Sequence, residues 1–261
     1  MRISGRERQR YDCQLVLKEV GERGQEALRS GSVLVVGAGG LGAPVLFYLV
    51  AAGVGRVGIV DDDVVELSNL QRQVLFTTAD VGRPKAGVAA ERLAALNPDV
   101  TLEPCASRLR AATAPGLIDR YDVVVTAVDN FPARYLLNDA CVLARKTLVD
   151  GAVLRTTGLA MTVKGGETAC YRCVFPEPPP PAGVVSCSEA GVLGPVPGLI
   201  GSIQALEVIK VMTGVGRPLY DRLLQYDGGS MTFSEVSLER SPSCPVCGES
   251  PTVTGLVDLD D

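Results

Sequence analysis

Two sets of residues in this 261-residue chain have the types and spacing for chemistry. The first is sulfur. Cys170-x-x-Cys173 and Cys244-x-x-Cys247 are chelating hooks, each spaced to put two thiolates on one ion, and together they make a tetrahedral Cys₄ set suited to Zn²⁺. The gap between the hooks exceeds that of a zinc ribbon, so the pair is expected to staple the C-terminal tail to the body of the protein. A redox role for one hook is the rival reading, and the second hook argues against it. The remaining cysteines are Cys13, Cys105, Cys141 and Cys187. Cys105 ends an expected strand and Cys141 lies on an expected helix, which makes both small buried hydrophobes. Cys187 follows a proline-rich stretch among serines and is the candidate reactive thiol.

The second set binds phosphate. Gly37, Gly39 and Gly42 fit G-x-G-x-x-G directly after the apolar run Val33–Val36, with Gly37 for the turn, Gly39 for close approach of phosphate and Gly42 for helix packing. Asp61 stands about 20 residues further on, at the end of a second strand, where a carboxylate can hold a ribose hydroxyl. Beyond it, the polar stretch Asp61–Gln73 carries Asn69, Arg72 and Gln73, all able to reach phosphate. Lys85 sits at a helix start, which already favours anions. Asp129, after the buried run ending at Val128, is a hard oxygen ligand for Mg²⁺, and Asn130 or Asp129 can also cap the helix that follows.

The elements that must position these groups alternate. Val33–Val36 and Arg56–Val60 read as strands, with a helix over Ala43–Ala52 between them that Gly53 ends. A further helix starts near Pro84 and places Val88, Ala89, Leu93 and Leu96 on one side. Val100–Glu103 and Tyr121–Val128 are further strands, and Pro132 opens a helix to Arg145. From Thr147 the pattern becomes β-rich, with strands over Thr147–Asp150, Leu159–Lys164, Leu223–Asp227 and Met231–Leu238. One amphipathic helix, Ile200–Thr213, intervenes, with Ile203, Leu206, Ile209 and Val211 as its apolar positions. The fold expected is α/β and Rossmann-like, a mostly parallel sheet extended by antiparallel strands in the C-terminal part. Residues 1–30 form a helical arm whose apolar cluster is Leu15–Leu17, 31–150 the nucleotide-binding half and 151–261 a β-rich half with the metal site.

Composition narrows the function. There is no histidine, which removes Ser/His/Asp and Cys/His catalysis and every histidine-ligated metal. A net charge of -5 leaves no basic footprint for nucleic acid. The longest apolar run, Val45–Ala52, is too short to cross a bilayer, and the N-terminus lacks a signal-peptide pattern, so no membrane partner and a cytoplasmic location with reduced cysteines are expected. G-x-x-x-x-G-K-[ST] is absent, so this is not a P-loop protein. A nicotinamide-dependent oxidoreductase is raised by the glycine motif and opposed by Arg72, Lys85 and Asp129, which such a site does not need.

GAGGLG at Gly37–Gly42, DxDxVELSNLQRQ at Asp61–Gln73, RPK at Arg83–Lys85, TAVDN at Thr126–Asn130, the paired hooks and SCSEAGVLGP at Ser186–Pro195 resemble, in that order, the ThiF/MoeB family, relatives of ubiquitin-activating enzymes. The resemblance covers nearly the whole chain. It implies ATP- and Mg²⁺-dependent adenylation of the C-terminal glycine of a small ubiquitin-like sulfur-carrier protein ending in Gly-Gly. It also implies a separate sulfur donor and a homodimer in which the β-rich half and a crossover loop receive the carrier. By motif, Gly37, Gly39, Gly40 and Gly42 cradle the nucleotide and Asp61 holds ribose. Asp63, Asn69, Arg72, Gln73 and Lys85 line the phosphates, Asp129 and Asn130 face the metal and nucleotide, and Cys187 matches the crossover-loop cysteine. One departure stands out: the family's N-terminal R-Y-x-R-Q reads Arg10-Tyr11-Asp12-Cys13-Gln14 here, with Cys13 where a cross-subunit arginine is expected and Arg8 or Arg10 as substitutes. A catalytically weak nucleotide-binding homologue is the alternative this raises.

Overall fold

The computed structural model of the protein describes residues 3–179 and 190–259. Helices α1 (Gly5–Arg10), α2 (Asp12–Leu15) and α3 (Gly21–Ser30) form the N-terminal arm. Then β1 (Ser32–Val36), α4 (Gly42–Ala52), β2 (Arg56–Val60), α5 (Lys85–Leu96), β3 (Thr101–Cys105), α6 (Ala114–Ile118), β4 (Val123–Thr126), α7 (Phe131–Leu143) and β5 (Thr147–Leu154) alternate. The C-terminal part consists of β6 (Thr157–Lys164), the short helix α8 (Tyr171–Val174), the long helix α9 (Pro195–Thr213), β7 (Arg222–Asp227) and β8 (Thr232–Ser237).

All eight strands join one sheet in the order β3-β2-β1-β4-β5-β6-β7-β8. β3, β2, β1, β4 and β5 are parallel, as strand–helix–strand connections demand, and β5–β6, β6–β7 and β7–β8 pair antiparallel. Every residue of β1 and β4 is buried, which accounts for their continuous apolar runs. Alternate residues feed two cores. Val33, Val35 and Val125 face α4, α5 and α9, whereas Leu34 and Val124 face α6, α7 and the hook region. From β1 the chain runs to β2 on one side, and β4 returns on the other side of β1. The crevice above the β1/β4 boundary is therefore the topological switch point at which open α/β sheets bind ligands.

Two expectations change. α9 starts at Pro195, five residues before the expected Ile200, and its buried face is not the expected apolar one: Leu206 is exposed, while Gln204 and Glu207 are buried with Ile200, Ala205 and Val208. The helix is apolar almost all round, so periodicity does not mark its inner side. What does is hydrogen bonding. Gln204 donates to the carbonyls of Thr126 (2.7 Å) and Val149 (3.4 Å), and Glu207 accepts from Thr162 Oγ1 (2.7 Å) and the Leu219 amide (2.6 Å). By length and composition α9 could cross a membrane; here it packs against α3, α4, β5 and β6. In the arm, Val16 and Leu17 are exposed, and Tyr11 is the buried anchor, its hydroxyl accepting from Asn97 Nδ2 at 2.9 Å.

Candidate active site

The glycine turn is built by backbone crowding. Gly37 has φ +98°, and a Cβ there would lie 2.3 Å from the Ala127 carbonyl oxygen. At Gly42 a Cβ would lie 1.9 Å from the Gly37 carbonyl oxygen, so α4 can start over the turn only on glycine. The Gly37 amide donates to Val60 O (2.7 Å) and the Ala127 amide to Val36 O (2.8 Å), tying together the ends of β1, β2 and β4. Gly39 is different, since a Cβ there would meet only Gln73 Nε2 at 3.4 Å. Gly42→Ala is therefore expected to destabilise the fold by about 1 to 3 kcal/mol or more, measured as a lower urea midpoint. Gly39→Ala is expected to stay within about 0.5 kcal/mol of wild type while weakening nucleotide binding.

Around this turn stand the polar groups. Asp61, at the end of β2, accepts from the Ala38 amide (2.7 Å) and the Asp63 amide (2.9 Å), so its carboxylate closes the turn from outside. Burial pushes its pKa up, and the Ala38 amide and the Lys85 charge hold it back. Lys85, at the first position of α5, is 4% exposed, and its ammonium donates to Asp63 Oδ2 at 2.8 Å. Asp63 and Lys85 thus meet as an ion pair across 22 residues, clasped by the isolated bridge between Val64 and Pro84.

Asn69 is buried in a 3₁₀ turn, where its Oδ1 accepts from the Glu66 amide at 3.2 Å. Arg72 donates to the Ser68 carbonyl (3.2 Å), and its stem borders Gly40, whose other neighbour is Pro197 of α9 at 3.2 Å from a Cβ position. Gln73 is 4% exposed, and its Oε1 has no partner. The nitrogen of the same amide is the atom that faces Gly39, so a buried amide with one oxygen left bare stands against the glycine turn, as in a site for a donor-bearing ligand. Asp129 is exposed at the end of β4, and the neighbouring Val128 amide nitrogen lies 3.2 Å from a Cβ position on Gly37. No side-chain partner holds Asp129 among the described residues. Asn130 caps α7, its Oδ1 accepting from the Ala133 amide at 2.8 Å, so the oxygen expected to face nucleotide is engaged by the helix.

The four hook sulfurs form one cluster, all within 4.8 Å of one another. Separations of 3.6 Å (Cys170–Cys244), 3.4 Å (Cys173–Cys247), 3.5 Å (Cys170–Cys247) and 3.9 Å (Cys170–Cys173) bracket the ~3.8 Å edge of a tetrahedron with 2.3 Å metal–sulfur bonds. The Ser241 and Cys170 amides, each 3.4 Å from Cys173 Sγ, supply the outer hydrogen bonds such thiolates need. The residue types and spacing fit zinc.

Cys141 is fully buried, and burial pushes its thiol pKa up, as expected of an inert core cysteine. Cys105 Sγ lies 3.0 Å from Ser107 Oγ. Cys187 lies outside the described residues. Cys13 is exposed, while Arg8 pairs with Glu22 and Arg10 donates to the Leu96 carbonyl at 3.1 Å, both within their own chain.

Sequence reasoning missed the buried ion pairs Arg134–Asp150 (2.9 Å) and Arg172–Asp139 (2.7 Å). Arg172 and Tyr171 are the two residues enclosed by the first hook. Arg172 lies over the Tyr135 ring, and Arg134 over the Tyr171 ring. The available signal was charge within otherwise apolar stretches, which marks a paired group but not its partner.

A glycine turn at the switch point of a mostly parallel sheet, with Arg72 and Gln73 against it, marks a nucleotide-binding α/β fold, and elsewhere in the fold four clustered cysteines could hold a metal ion. The chain belongs to the ThiF family, whose model matches residues 11–246. It is 53% identical to the sulfur carrier protein adenylyltransferase of Thermus thermophilus, covering 100% of this chain and 98% of that one. It is 49% identical to the SAMP-activating enzyme E1 of Haloferax volcanii, over 96% of this chain and 92% of that one. To the adenylyltransferase and sulfurtransferase MOCS3 of Sus scrofa it is 50% identical over 96% of its length, spanning 55% of that longer chain. Among solved structures, E. coli MccB with MccA-N7isoASN shares the fold at a TM-score of 0.82 and 23% identity, covering 92% of this chain and 74% of that one. The protein is an adenylyltransferase, and its nucleotide is ATP.

Proposed function

We propose that this protein adenylates the C-terminal glycine carboxylate of a small ubiquitin-like sulfur-carrier protein, releasing pyrophosphate and preparing that terminus for thiocarboxylate formation with sulfur from a separate donor. The observation that carries the reading is the composition of the strand-end crevice. The Arg72 stem borders Gly40, the Gln73 amide nitrogen faces Gly39, Lys85 stands beside Asp63 and acts on Asp61, and Asp129 projects beyond the adjoining strand with no side-chain partner among the described residues. A carboxylate is ionised and nucleophilic at neutral pH, so its oxygen attacks the α-phosphorus without a general base, the bond to the bridging α–β oxygen breaks, and pyrophosphate leaves with the electron pair. A histidine-free site suffices for that chemistry.

The chain's own task is alignment and charge neutralisation. Gly37, Gly39 and Gly42 let the backbone approach the phosphates, Asp61 takes the ribose hydroxyl, and Asn69, Arg72, Gln73 and Lys85 face the triphosphate. For Lys85 this means sharing its ammonium between Asp63 and a phosphate oxygen. Asp129 holds Mg²⁺, which when bound neutralises charge on the phosphate oxygens. The β-rich half receives the carrier, the protein acts as a homodimer in the cytoplasm, and Cys187 serves the step after adenylation.

The test is exchange of labelled pyrophosphate into ATP with purified carriers ending in Gly-Gly, together with mass spectrometry of the carrier. Exchange that requires the Gly-Gly end and yields a carrier heavier by one adenylyl group is the expected result. Exchange with free amino acids but with none of the carriers would overturn the substrate assignment.

A further inference from the structure

We propose that Arg134 is a positioning residue for Asp129, setting how well that carboxylate holds the divalent cation. The inference rests on the reading of Asp129 given above and extends it to a residue that touches neither nucleotide nor metal.

Arg134 lies in the second turn of α7 and is 6% exposed. From there its guanidinium reaches back to β5 and to the turn after β4, donating to Asp150 Oδ2 at 2.9 Å, to the Gly151 carbonyl at 3.0 Å and to the Val128 carbonyl at 3.4 Å. The Val128 carbonyl belongs to the peptide from which Asp129 projects. Few other bonds locate that turn. The Ala127 amide is tied to Val36, Asn130 caps α7, and Asp129 has no side-chain partner among the described residues. The bond from Arg134 is thus the side-chain restraint nearest to the carboxylate.

Energetics favour a positioning role over simple stabilisation. A guanidinium and a carboxylate removed from water lose hydration that their attraction repays only in part, and a hydrophobic pair of the same volume stabilises a core as well or better. What a hydrophobic pair cannot do is fork to two main-chain carbonyls, one on β5 and one in the turn after β4, and the planar guanidinium can. The fork is itself steadied by the first cysteine hook. The Tyr171 ring lies 5.6 Å from the guanidinium, its amide donates to Asn138 Oδ1 at 2.9 Å, and Arg172 grips Asp139 through two bonds of 2.7 and 2.8 Å. α7 is therefore pinned along one side by the residues between the two cysteines, and Arg134 carries that rigidity to the Asp129 turn.

The test compares wild type with Arg134→Lys, which keeps the charge facing Asp150 but not the fork, and with Asp129→Ala. Mn²⁺ binding is followed by electron paramagnetic resonance in the presence of a non-hydrolysable ATP analogue, with nucleotide affinity measured separately without metal. Arg134→Lys is expected to bind Mn²⁺ about tenfold more weakly, the usual cost of removing an outer-shell partner, with metal-free nucleotide affinity and zinc content unchanged. Amide hydrogen exchange at Asp129 and Asn130 should rise in the same variant. Unaltered Mn²⁺ affinity in Arg134→Lys, with a clear loss in Asp129→Ala, overturns the positioning role alone; unaltered affinity in Asp129→Ala overturns the role of Asp129 with it. Should Arg134→Lys fold poorly, Tyr171→Leu provides the second route. It must weaken Mn²⁺ binding in the same direction for the proposal to stand.

Discussion

Asp129→Ala is expected to lower pyrophosphate exchange by about 10² to 10³-fold, with stability within about 0.5 kcal/mol of wild type. The contrast between the two readouts follows from its setting. The side chain is exposed just beyond β4 and has no hydrogen-bond or ion-pair partner among the described residues, so the fold has little to lose by its removal. The chemistry does, because Asp129 would hold the Mg²⁺ that, beside the cationic side chains, would counter the negative charge building up between the α-phosphorus and the departing pyrophosphate. Arg72→Ala should show the same pattern, since among the described residues its guanidinium gives one bond, to the Ser68 carbonyl, and its stem borders Gly40 of the glycine turn. Exchange rates within twofold of wild type in both variants would remove the assigned mechanism. A large loss of thermal stability in either would instead place the residue in the fold.

Cys244→Ser is expected to empty the four-sulfur site and to lower the melting temperature on the order of 10 °C. Structural zinc contributes several kcal/mol of folding free energy, and each kcal/mol moves the midpoint of a chain this size by about 2 to 4 °C. Cys244 is buried and lies 3.6 Å from Cys170, which is 74 residues away in sequence, so a metal held there would tie the tail to the body. Losing it should expose the segment beyond Ser241 to proteolysis before the rest of the chain. Zinc measured by mass spectrometry at one ion per chain in wild type, and near none in the variant, is the expected result. Unchanged zinc content would refute the four-thiolate assignment.

The parts of this molecule legible in the sequence are those decided by near neighbours. β1, its glycine turn and α4 follow from a five-residue buried strand and a glycine motif whose last member, Gly42, is required by crowding against Gly37 five residues earlier. The cysteine hooks are legible for the same reason, each being a single turn of chain. Illegible residues depend on partners remote in sequence. Nothing near Lys85 announces that its ammonium rests on Asp63, and nothing near Arg134 announces Asp150. α9 fails for another reason. With apolar residues on nearly every side, the helix takes its orientation from Gln204 and Glu207, which find buried backbone and hydroxyl partners on the sheet. Polarity that reads as a solvated face is here the face turned inward.

The 74-residue separation of the hooks also bears on the birth of the chain. At about 5 to 20 residues per second, roughly 4 to 15 seconds pass on the ribosome between Cys170 and Cys244. β1 to β6 have all been made before Cys170, and α9 and the last two strands are made in the interval that ends at Cys244. The nascent protein therefore carries an unfinished pair of thiols through an interval in which oxidation or the wrong metal can claim them, and the step that ends this vulnerability is the last to become possible.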